Sequence, residues 1–258
     1  MIEISDSLKE FALTYNPEFL FGELESKKKS FKLSHTKNVT EIGMKLPHDG
    51  LNEELLKLCL QLHDIGRRKQ QDIIGSSDDY LLDHHALALQ YFSEWLSQHP
   101  TVKATKDWKI ALDCCLYHGH PFMDDCFVDD VSMPYVRIVR DADRIENGCI
   151  GAPEYLEREK EVDNKGYRKR YPWRGNAVKT EILVYLERGI IFPKTLCQTY
   201  AEYFLFAASL VAQLCHEYPD IVREYMERYS TVEKYCGIFE RNLTKVDADI
   251  ACMIMRKL

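Results

Sequence analysis

The chain has 258 residues, of which 41 are acidic and 34 are basic, so its formal net charge is −7. Hydrophobic residues make up 45% and charged residues 29%, a balance that argues against a disordered or fibrous chain and provides core for one or two domains. The acidic excess argues against a general nucleic-acid coat, so we expect no stable nucleic-acid complex.

Glycine and proline are scarce, with 12 and 9 residues, and this favours helices over a fold of many strands. The nine cysteines are odd in number and form no CxxC pair, and Met1–Leu20 lacks a secretory pattern. These features predict free thiols in a reducing, cytoplasmic compartment. The most apolar stretch, Tyr203–Leu214, is too short to span a bilayer, so we expect no membrane partner.

The first half of the chain has the apolar spacing of helices. Ser34 is predicted to cap a helix that runs to about Leu46, and Pro47–Gly50 to form a turn. Leu51–Ile65 places leucines at spacings of three and four, which predicts a helix with one apolar face that ends just before Gly66.

Further helices are predicted along the rest of the chain. They span about Tyr80–Gln98, Thr105–Tyr117, Pro134–Asn147, Pro153–Val162, Ala177–Arg188, Thr195–Tyr218, Asp220–Tyr229 and Lys245–Lys257. Met123–Val131 is predicted as an acidic loop, and Asn164–Asn176 as an irregular basic and aromatic segment. The simplest division is an N-terminal helical extension at 1–30, a compact helical domain at 31–150 and a helical C-terminal elaboration at 151–258.

The sharpest local feature is the pair His63-Asp64, at the end of the predicted apolar helix. Imidazole and carboxylate groups are ligands of divalent transition metals, and the packed helix would hold them rigidly. A His-Asp pair alone is also typical of a surface pair at a frayed helix end. The context favours a metal site, because further ligand residues stand on other predicted helices, most of them at a helix end: His35, His84, His118 and Asp143.

This ordered set resembles the HD-domain superfamily of metal-dependent phosphohydrolases, whose pattern is a His, then His-Asp, then a distant Asp. The resemblance covers about residues 31–150 and implies an all-α fold, an HD-domain helical bundle to which this chain adds C-terminal helices. It implies one divalent metal ion (Mn, Mg, Co, Ni, Zn or Fe) on the matching residues His35, His63, Asp64 and Asp143. Asp141 competes for the last place, but the Ala-Asp context favours Asp143.

Some relatives hold two metal ions with additional histidines, and His84 and His118 match two of those positions. A second ion would then be bridged to the first by Asp64. Such relatives often have a third, neighbouring histidine, whereas Gly119 follows His118 here, so the sequence leaves the choice between one and two ions open. His85 is predicted to be exposed, because it points about 100° away from His84 on a helix.

Phosphoester hydrolysis needs an activated water and cations for the phosphate oxygens. Asp64 is predicted to orient or deprotonate the water as well as to bind metal. Arg67 and Arg68 follow the His-Asp turn directly, and Arg144 adjoins the last aspartate of the pattern. Because the planar guanidinium suits phosphate, we assign catalysis to Asp64, Arg67 and Arg144, and substrate binding to Arg67 and Arg68.

Three further arginines extend the predicted substrate site. Arg140 shares a helix face with Arg144, although such a stripe is also typical of a solvated face. Arg168 and Arg170 lie in the segment Lys165–Arg174, where cations alternate with aromatic side chains that can stack on a base. That segment is predicted either as a substrate lid or as a surface or interface loop.

These assignments predict a cytoplasmic, metal-dependent phosphohydrolase that acts on a small phosphorylated metabolite or nucleotide. Two other classes stay open. Some two-metal relatives are di-iron oxygenases that cleave C–C or C–P bonds, and His84 and His118 keep that class open. The third class is a non-catalytic nucleotide-binding sensor, although a pure sensor has no need of metal ligands. The sequence defines neither the substrate nor the oligomeric state, and an oligomer stays open.

Overall fold

The computed structural model describes residues 2–21, 26–75, 82–120, 127–154, 177–193 and 196–258, with the backbone alone for 26–31 and 200. The chain separates into two compact units, 1–143 and 144–258. Within the described ranges every regular element is helical and none is a strand, which confirms the predicted all-α fold. Among these residues, no helix combines the length and the apolar character that a bilayer crossing requires.

The first unit is a set of helices that carries the whole predicted metal site. Its elements are α1 (Asp6–Thr14), α2 (Pro17–Phe21), α3 (Ser26–Gly43), α4 (Glu53–Leu62), α5 (Gly66–Ile74), α6 (His84–Gln98), α7 (Lys106–Tyr117) and residues 133–143 of α8 (Met133–Glu146). The predicted loop Met123–Val131 falls partly outside the described residues, because 121–126 are not among them.

The N-terminal helix α1 packs on the aromatic core of the first unit. Ser5 caps α1, and its main-chain N–H and its hydroxyl donate to Asp107 at the start of α7, at 2.9 and 2.7 Å. Phe11 is fully buried, with its ring centroid 4.6 Å from that of Phe92 and 5.1 Å from that of Trp108. Residues before position 31 therefore belong to the same compact unit as the helices that follow them.

The predicted helix Leu51–Ile65 is divided in the structure. α4 starts after its cap Asn52 and ends at Leu62, the chain turns over residues 63–65, and α5 begins at Gly66. The prediction that Gly66 follows the end of a helix is therefore wrong. Ile65 is buried after the turn, and its spacing from the leucines of α4 imitates a continuous helix.

Gly66 brings the start of α5 into close contact with the start of α6. A Cβ atom at this position would overlap the carbonyl oxygen of His84 and lie 2.8 Å from the main-chain nitrogen of Ala88. Only a residue without a side chain allows this approach. The contact places the turn before α5 beside the first residue of α6.

Two helices of the first unit begin at other places than predicted. α3 begins at Ser26, so that Ser34 and His35 lie inside the helix rather than at its start. α6 begins at His84, where the side chain of Asp83 accepts a hydrogen bond from the main-chain N–H of His85. Residues 76–81, which include the predicted start at Tyr80, lie outside the described residues.

The second unit is also helical. Its elements are the end of α8, a π-helical turn (Asn147–Gly151), α9 (Thr180–Glu187), α10 (Tyr200–Glu217), α11 (Pro219–Arg228), α12 (Thr231–Asn242) and α13 (Lys245–Met255). The start of α10 is fixed by a capping box, in which Thr199 and Glu202 each accept a hydrogen bond from the main-chain N–H of the other. Most of the predicted helix Pro153–Val162 lies outside the described residues.

Helix α12 is absent from the sequence prediction. Its cap Ser230 has a left-handed backbone with φ of 51° and makes no side-chain capping hydrogen bond. Serine is a common residue at a helix cap, but here its side chain does not stabilise the helix start. Tyr235, Ile238 and Phe239 are nevertheless buried at spacings of three and one, on the face that packs inside this unit.

Candidate metal centre

Six polar side chains from five elements of the first unit converge in one cluster. They are His35 of α3, His63 and Asp64 in the turn after α4, His84 at the start of α6, His118 at the end of α7, and Asp143 on α8. All are buried except Asp143, whose side chain is 14% exposed. Such a concentration of buried imidazoles and carboxylates is unfavourable in a protein interior unless the groups bind one another or a cation.

The first donor set joins His35, His63, Asp64 and Asp143. His35 Nε2 lies 3.2 Å from Asp143 Oδ1, 3.5 Å from Asp64 Oδ2 and 3.3 Å from His63 Nε2. His63 Nε2 lies 3.7 Å from Asp143 Oδ1 and 3.9 Å from Asp64 Oδ2. Two ligand atoms that are each about 2.1 Å from one ion are roughly 3.0–3.4 Å apart, so this spacing is close to that of one divalent cation's ligands.

A second donor set uses the other carboxylate oxygen of Asp64. Asp64 Oδ1 lies 3.1 Å from His84 Nε2 and 3.8 Å from His118 Nε2, and the two nitrogens are 3.4 Å apart. Asp64 thus presents Oδ2 to the first donor set and Oδ1 to the second. This division is what a carboxylate bridging two cations requires.

Main-chain hydrogen bonds fix the tautomers of two of these histidines. His63 Nδ1 lies 2.8 Å from the Leu60 carbonyl oxygen, and His118 Nδ1 lies 3.0 Å from that of Cys114. Since Nδ1–H donates to a carbonyl in each case, Nε2 carries the lone pair that faces the cluster. Burial lowers the pKa of both imidazoles, and the adjacent histidines lower the pKa of His118 further. Both rings are therefore in the neutral form that binds metal.

Nearby cations keep the carboxylates ionised. Burial alone would raise the pKa of Asp64, but the charges of Lys32 and Arg67 outweigh burial and hold the pKa well below its usual range. Burial likewise opposes ionisation of Asp143, and the hydrogen bond and charge of His35 outweigh it and lower the pKa. These ionised carboxylates and the neutral rings of His63 and His118 are groups that fit a divalent transition metal.

The two arginines after the turn point to different partners. Arg67 Nε lies 3.4 Å from Asp64 Oδ1, which places this guanidinium at the cluster. Arg68 Nε lies 3.0 Å from Asp72 Oδ2, and its Nη1 donates to the Leu20 carbonyl oxygen at 2.8 Å. The structure therefore places Arg67 at the predicted site, whereas these contacts of Arg68 are with residues outside it.

Arg140 is buried beside Asp141 and the chain after α7. Its Nε donates to the His120 carbonyl oxygen and its Nη1 to Asp141 Oδ1, each at 3.2 Å. Asp141 thus pairs with Arg140, while Asp143 lies beside His35. This arrangement agrees with the choice of Asp143 over Asp141 as the candidate ligand.

The remaining predicted arginines lie beyond the first unit. Arg144 directly follows Asp143 on α8, is buried, and is the first residue of the second unit. Arg168 and Arg170, with the whole segment Lys165–Arg174, lie outside the described residues. Their roles in substrate binding stay predictions.

Lys32 is a residue of this site that the sequence analysis does not identify. Its Nζ lies 3.0 Å from Asp64 Oδ2, and its side chain is only 12% exposed. Lys32 precedes His35 by three residues, so both side chains lie on one face of α3. The sequence analysis begins this helix at Ser34. A prediction that began it earlier would have placed Lys32 on the same face as His35 and indicated it as a residue of the site.

Comparison with known protein families supports the same region of the chain. Residues 33–148 match the family model described as HD domain, and this stretch contains all six converging residues. The match covers a little under half of the chain and ends close to the boundary between the two units. Neither the curated proteins nor the solved structures give a match to this sequence.

Proposed function

We propose that the protein, whose residues 33–148 form an HD domain, hydrolyses a phosphate ester of a small metabolite or nucleotide, as the metal-dependent phosphohydrolases of that superfamily do. The observation that carries the proposal is the first donor set, in which His35, His63, Asp64 and Asp143 converge and both carboxylates are ionised. We propose that these four residues hold one divalent cation, and that Asp64, His84 and His118 hold a second.

A bound divalent cation (Mn, Mg, Co, Ni, Zn or Fe) supplies a water of lowered pKa and neutralises charge on a phosphoryl oxygen. Asp64 accepts a hydrogen bond from the attacking water and orients it. Lys32 and Arg67 hold the pKa of Asp64 well below its usual range, which favours orientation of the water by this carboxylate over its deprotonation. The phosphorus–ester oxygen bond breaks, phosphorus gains the oxygen of the water, and the proton that this water loses is balanced by the proton that the leaving alkoxide gains.

Cationic side chains beside Asp64 suit an anionic substrate. Lys32 and Arg67 both lie against this carboxylate, and their side chains are 12% and 15% exposed. A phosphate that enters the cluster would find both charges within reach of its non-bridging oxygens. We retain Arg140 and Arg144 as further candidates, whereas the pairing of Arg68 with Asp72 argues against a direct role for Arg68.

The cysteines support a reducing, cytoplasmic location for this reaction. In the part of the chain that the structure describes, all eight are buried free thiols. Their burial also argues against metal binding by thiolate, since burial raises the pKa of thiols such as those of Cys114 and Cys115.

The proposal is tested by hydrolysis assays on the full chain. Metal-free protein is supplied in turn with Mn²⁺, Co²⁺, Ni²⁺ or Mg²⁺, and release of phosphate or nucleoside is measured on a panel of phosphorylated metabolites and nucleotides. We expect metal-dependent release, and a loss of at least about a hundredfold in Asp64→Asn, because a shared ligand is altered. The matched control Asp72→Asn, on the neighbouring helix, should retain activity. Full activity of a folded Asp64→Asn variant would contradict the proposal.

A di-iron oxygenase is a second candidate, because it would use the same division of Asp64 between two donor sets. Two bound irons with oxygen uptake would support this function, whereas hydrolysis with redox-inert ions supports the phosphohydrolase. The nucleotide-binding sensor would be favoured only by tight nucleotide binding without turnover on every metal tested.

A further inference from the structure

His85 lies against the second donor set, although the sequence predicts it to be exposed. Its ring centroid lies 3.8 Å from that of His84 and 4.7 Å from that of His118. The side chain is 19% exposed, but the Nε2 atom itself is buried. The prediction that His85 is exposed is therefore wrong for its Nε2, the atom that could bind a metal ion.

The orientation of the His85 ring is fixed by Asp83. His85 Nδ1 lies 2.6 Å from Asp83 Oδ1, and the same carboxylate oxygen accepts a hydrogen bond from the His85 main-chain N–H at 2.9 Å. In the tautomer whose Nδ1–H donates to this carboxylate, Nε2 is the nitrogen that can bind a metal ion. Among the described residues, His85 Nε2 has no hydrogen-bond partner, which is costly for a buried polar atom.

Gly119 provides the space into which the His85 ring extends. A Cβ atom at Gly119 would overlap His85 Nε2 and lie 2.6 Å from Cε1. The absence of a side chain at this position therefore lets the His85 ring lie beside His118. One nitrogen from each of His84, His85 and His118 lies within 4.8 Å of the others, a spacing at which the three can serve one ion.

We propose that His85 Nε2 is a third histidine ligand of the second cation, together with His84, His118 and Asp64, with Asp83 as the residue that orients His85. This inference rests on the proposed metal-binding function. The two cation positions are then unequal: the first has two imidazoles and two carboxylates, whereas the second has three imidazoles and one carboxylate. A nitrogen-rich position favours Co²⁺, Ni²⁺ or Zn²⁺ over Mg²⁺.

Calorimetric titration of the metal-free full chain with Co²⁺, and separately with Mg²⁺, tests this assignment. The wild type should bind two Co²⁺ ions, and Mg²⁺ should fill the second position much more weakly. His85→Phe keeps the ring volume but removes the nitrogen atoms, and it should weaken the second Co²⁺ at least about tenfold while the first is retained. The matched control His99→Phe, whose ring stacks on Trp95 outside the cluster, should bind both ions normally.

Position 119 gives an independent test that leaves His85 itself unchanged. Gly119→Ala should displace the His85 ring and weaken the second Co²⁺, as His85→Phe does. In the double variant His85→Ala with Gly119→His, the new imidazole starts in the vacated space and should recover affinity for the second ion. The visible absorption of bound Co²⁺ reports the change in nitrogen ligation in each variant.

Normal binding of both Co²⁺ ions by folded His85→Phe and by Gly119→Ala would overturn the assignment. Binding of a single Co²⁺ by the wild type would overturn both this assignment and the proposed second cation. If Asp64-dependent hydrolysis persisted, the proposed hydrolysis would stand with one ion. Binding of no ion under any condition would overturn both.

Discussion

The substitution Gly66→Ala tests whether the contact between α5 and α6 positions the metal donors. The added Cβ atom would lie 1.9 Å from the His84 carbonyl oxygen and 2.8 Å from the Ala88 nitrogen. Both are main-chain atoms, so rotation of a side chain relieves neither clash. Because such contacts are not sustained below about 3.0 Å, the two helices must separate by about 1 Å.

The separation of the two helices should lower both the free energy of unfolding and the activity of the site. Overpacking of this kind lowers the free energy of unfolding by about 1–3 kcal/mol. The same movement carries His84 Nε2 away from Asp64 Oδ1, from which it is now 3.1 Å distant. A misplacement of about 1 Å at reacting groups can reduce the rate about a hundredfold, so we expect weaker binding of the second ion and a comparable loss of hydrolysis.

Urea denaturation of the metal-free variant measures the first effect, and calorimetric titration with Co²⁺ measures the second. Gly75→Ala is the matched control, because Gly75 ends α5 with φ of 67° and a Cβ there meets open space. This control should lose about 1–2 kcal/mol of stability from backbone strain and bind metal normally. Normal binding of both ions by Gly66→Ala would refute the reasoning that the α5–α6 contact positions His84.

Three further outcomes are expected. The free energy of unfolding of the metal-free protein should fall as the pH drops below about 6.5, and urea denaturation at pH 7.5 and 5.5 measures this. The reason is that His63 and His118 have a lower pKa in the folded than in the unfolded protein. Their contribution to stability is therefore complete above the unfolded pKa and is lost as the pH falls towards the folded pKa. A stability that is unchanged or higher at pH 5.5 would contradict the neutral, buried state of these rings. Arg67→Met should raise the KM for a phosphorylated substrate about tenfold with metal stoichiometry unchanged, and an unaltered KM would exclude contact with the phosphate. Asn52→Ala removes the side-chain cap of α4 and should cost about 1 kcal/mol in urea denaturation, whereas loss of metal binding would show a role beyond capping.

The all-α fold was predictable, and the side chains that converge in the first unit could be singled out, because the signals for both are local. Scarce glycine and proline and the leucine spacing before His63 indicate helices, and buried imidazoles and carboxylates require a cation or one another. The start of α3 could not be placed, since Ser34 resembles a cap although the helix begins at Ser26. The turn at 63–65 was hidden because buried Ile65 continues the apolar spacing of α4.

Side-chain partners at the site depend on contacts that are distant in sequence. Arg67 and Arg68 are neighbours of the same type, yet one meets Asp64 and the other is held by Asp72 and the Leu20 carbonyl oxygen. His85 departs from its predicted exposure at a place where Gly119, just after the end of α7, leaves room for its ring. The positions of side chains around one helix do not predict their contacts with residues of other helices.

Anomalous diffraction from crystals of the Mn²⁺-loaded full chain, recorded at the manganese absorption edge, tests the central claim most directly. The account predicts a strong anomalous peak enclosed by His35, His63, Asp64 and Asp143, and its loss in Asp64→Asn. Wild-type crystals at saturating Mn²⁺ that showed no peak among these four residues would contradict it.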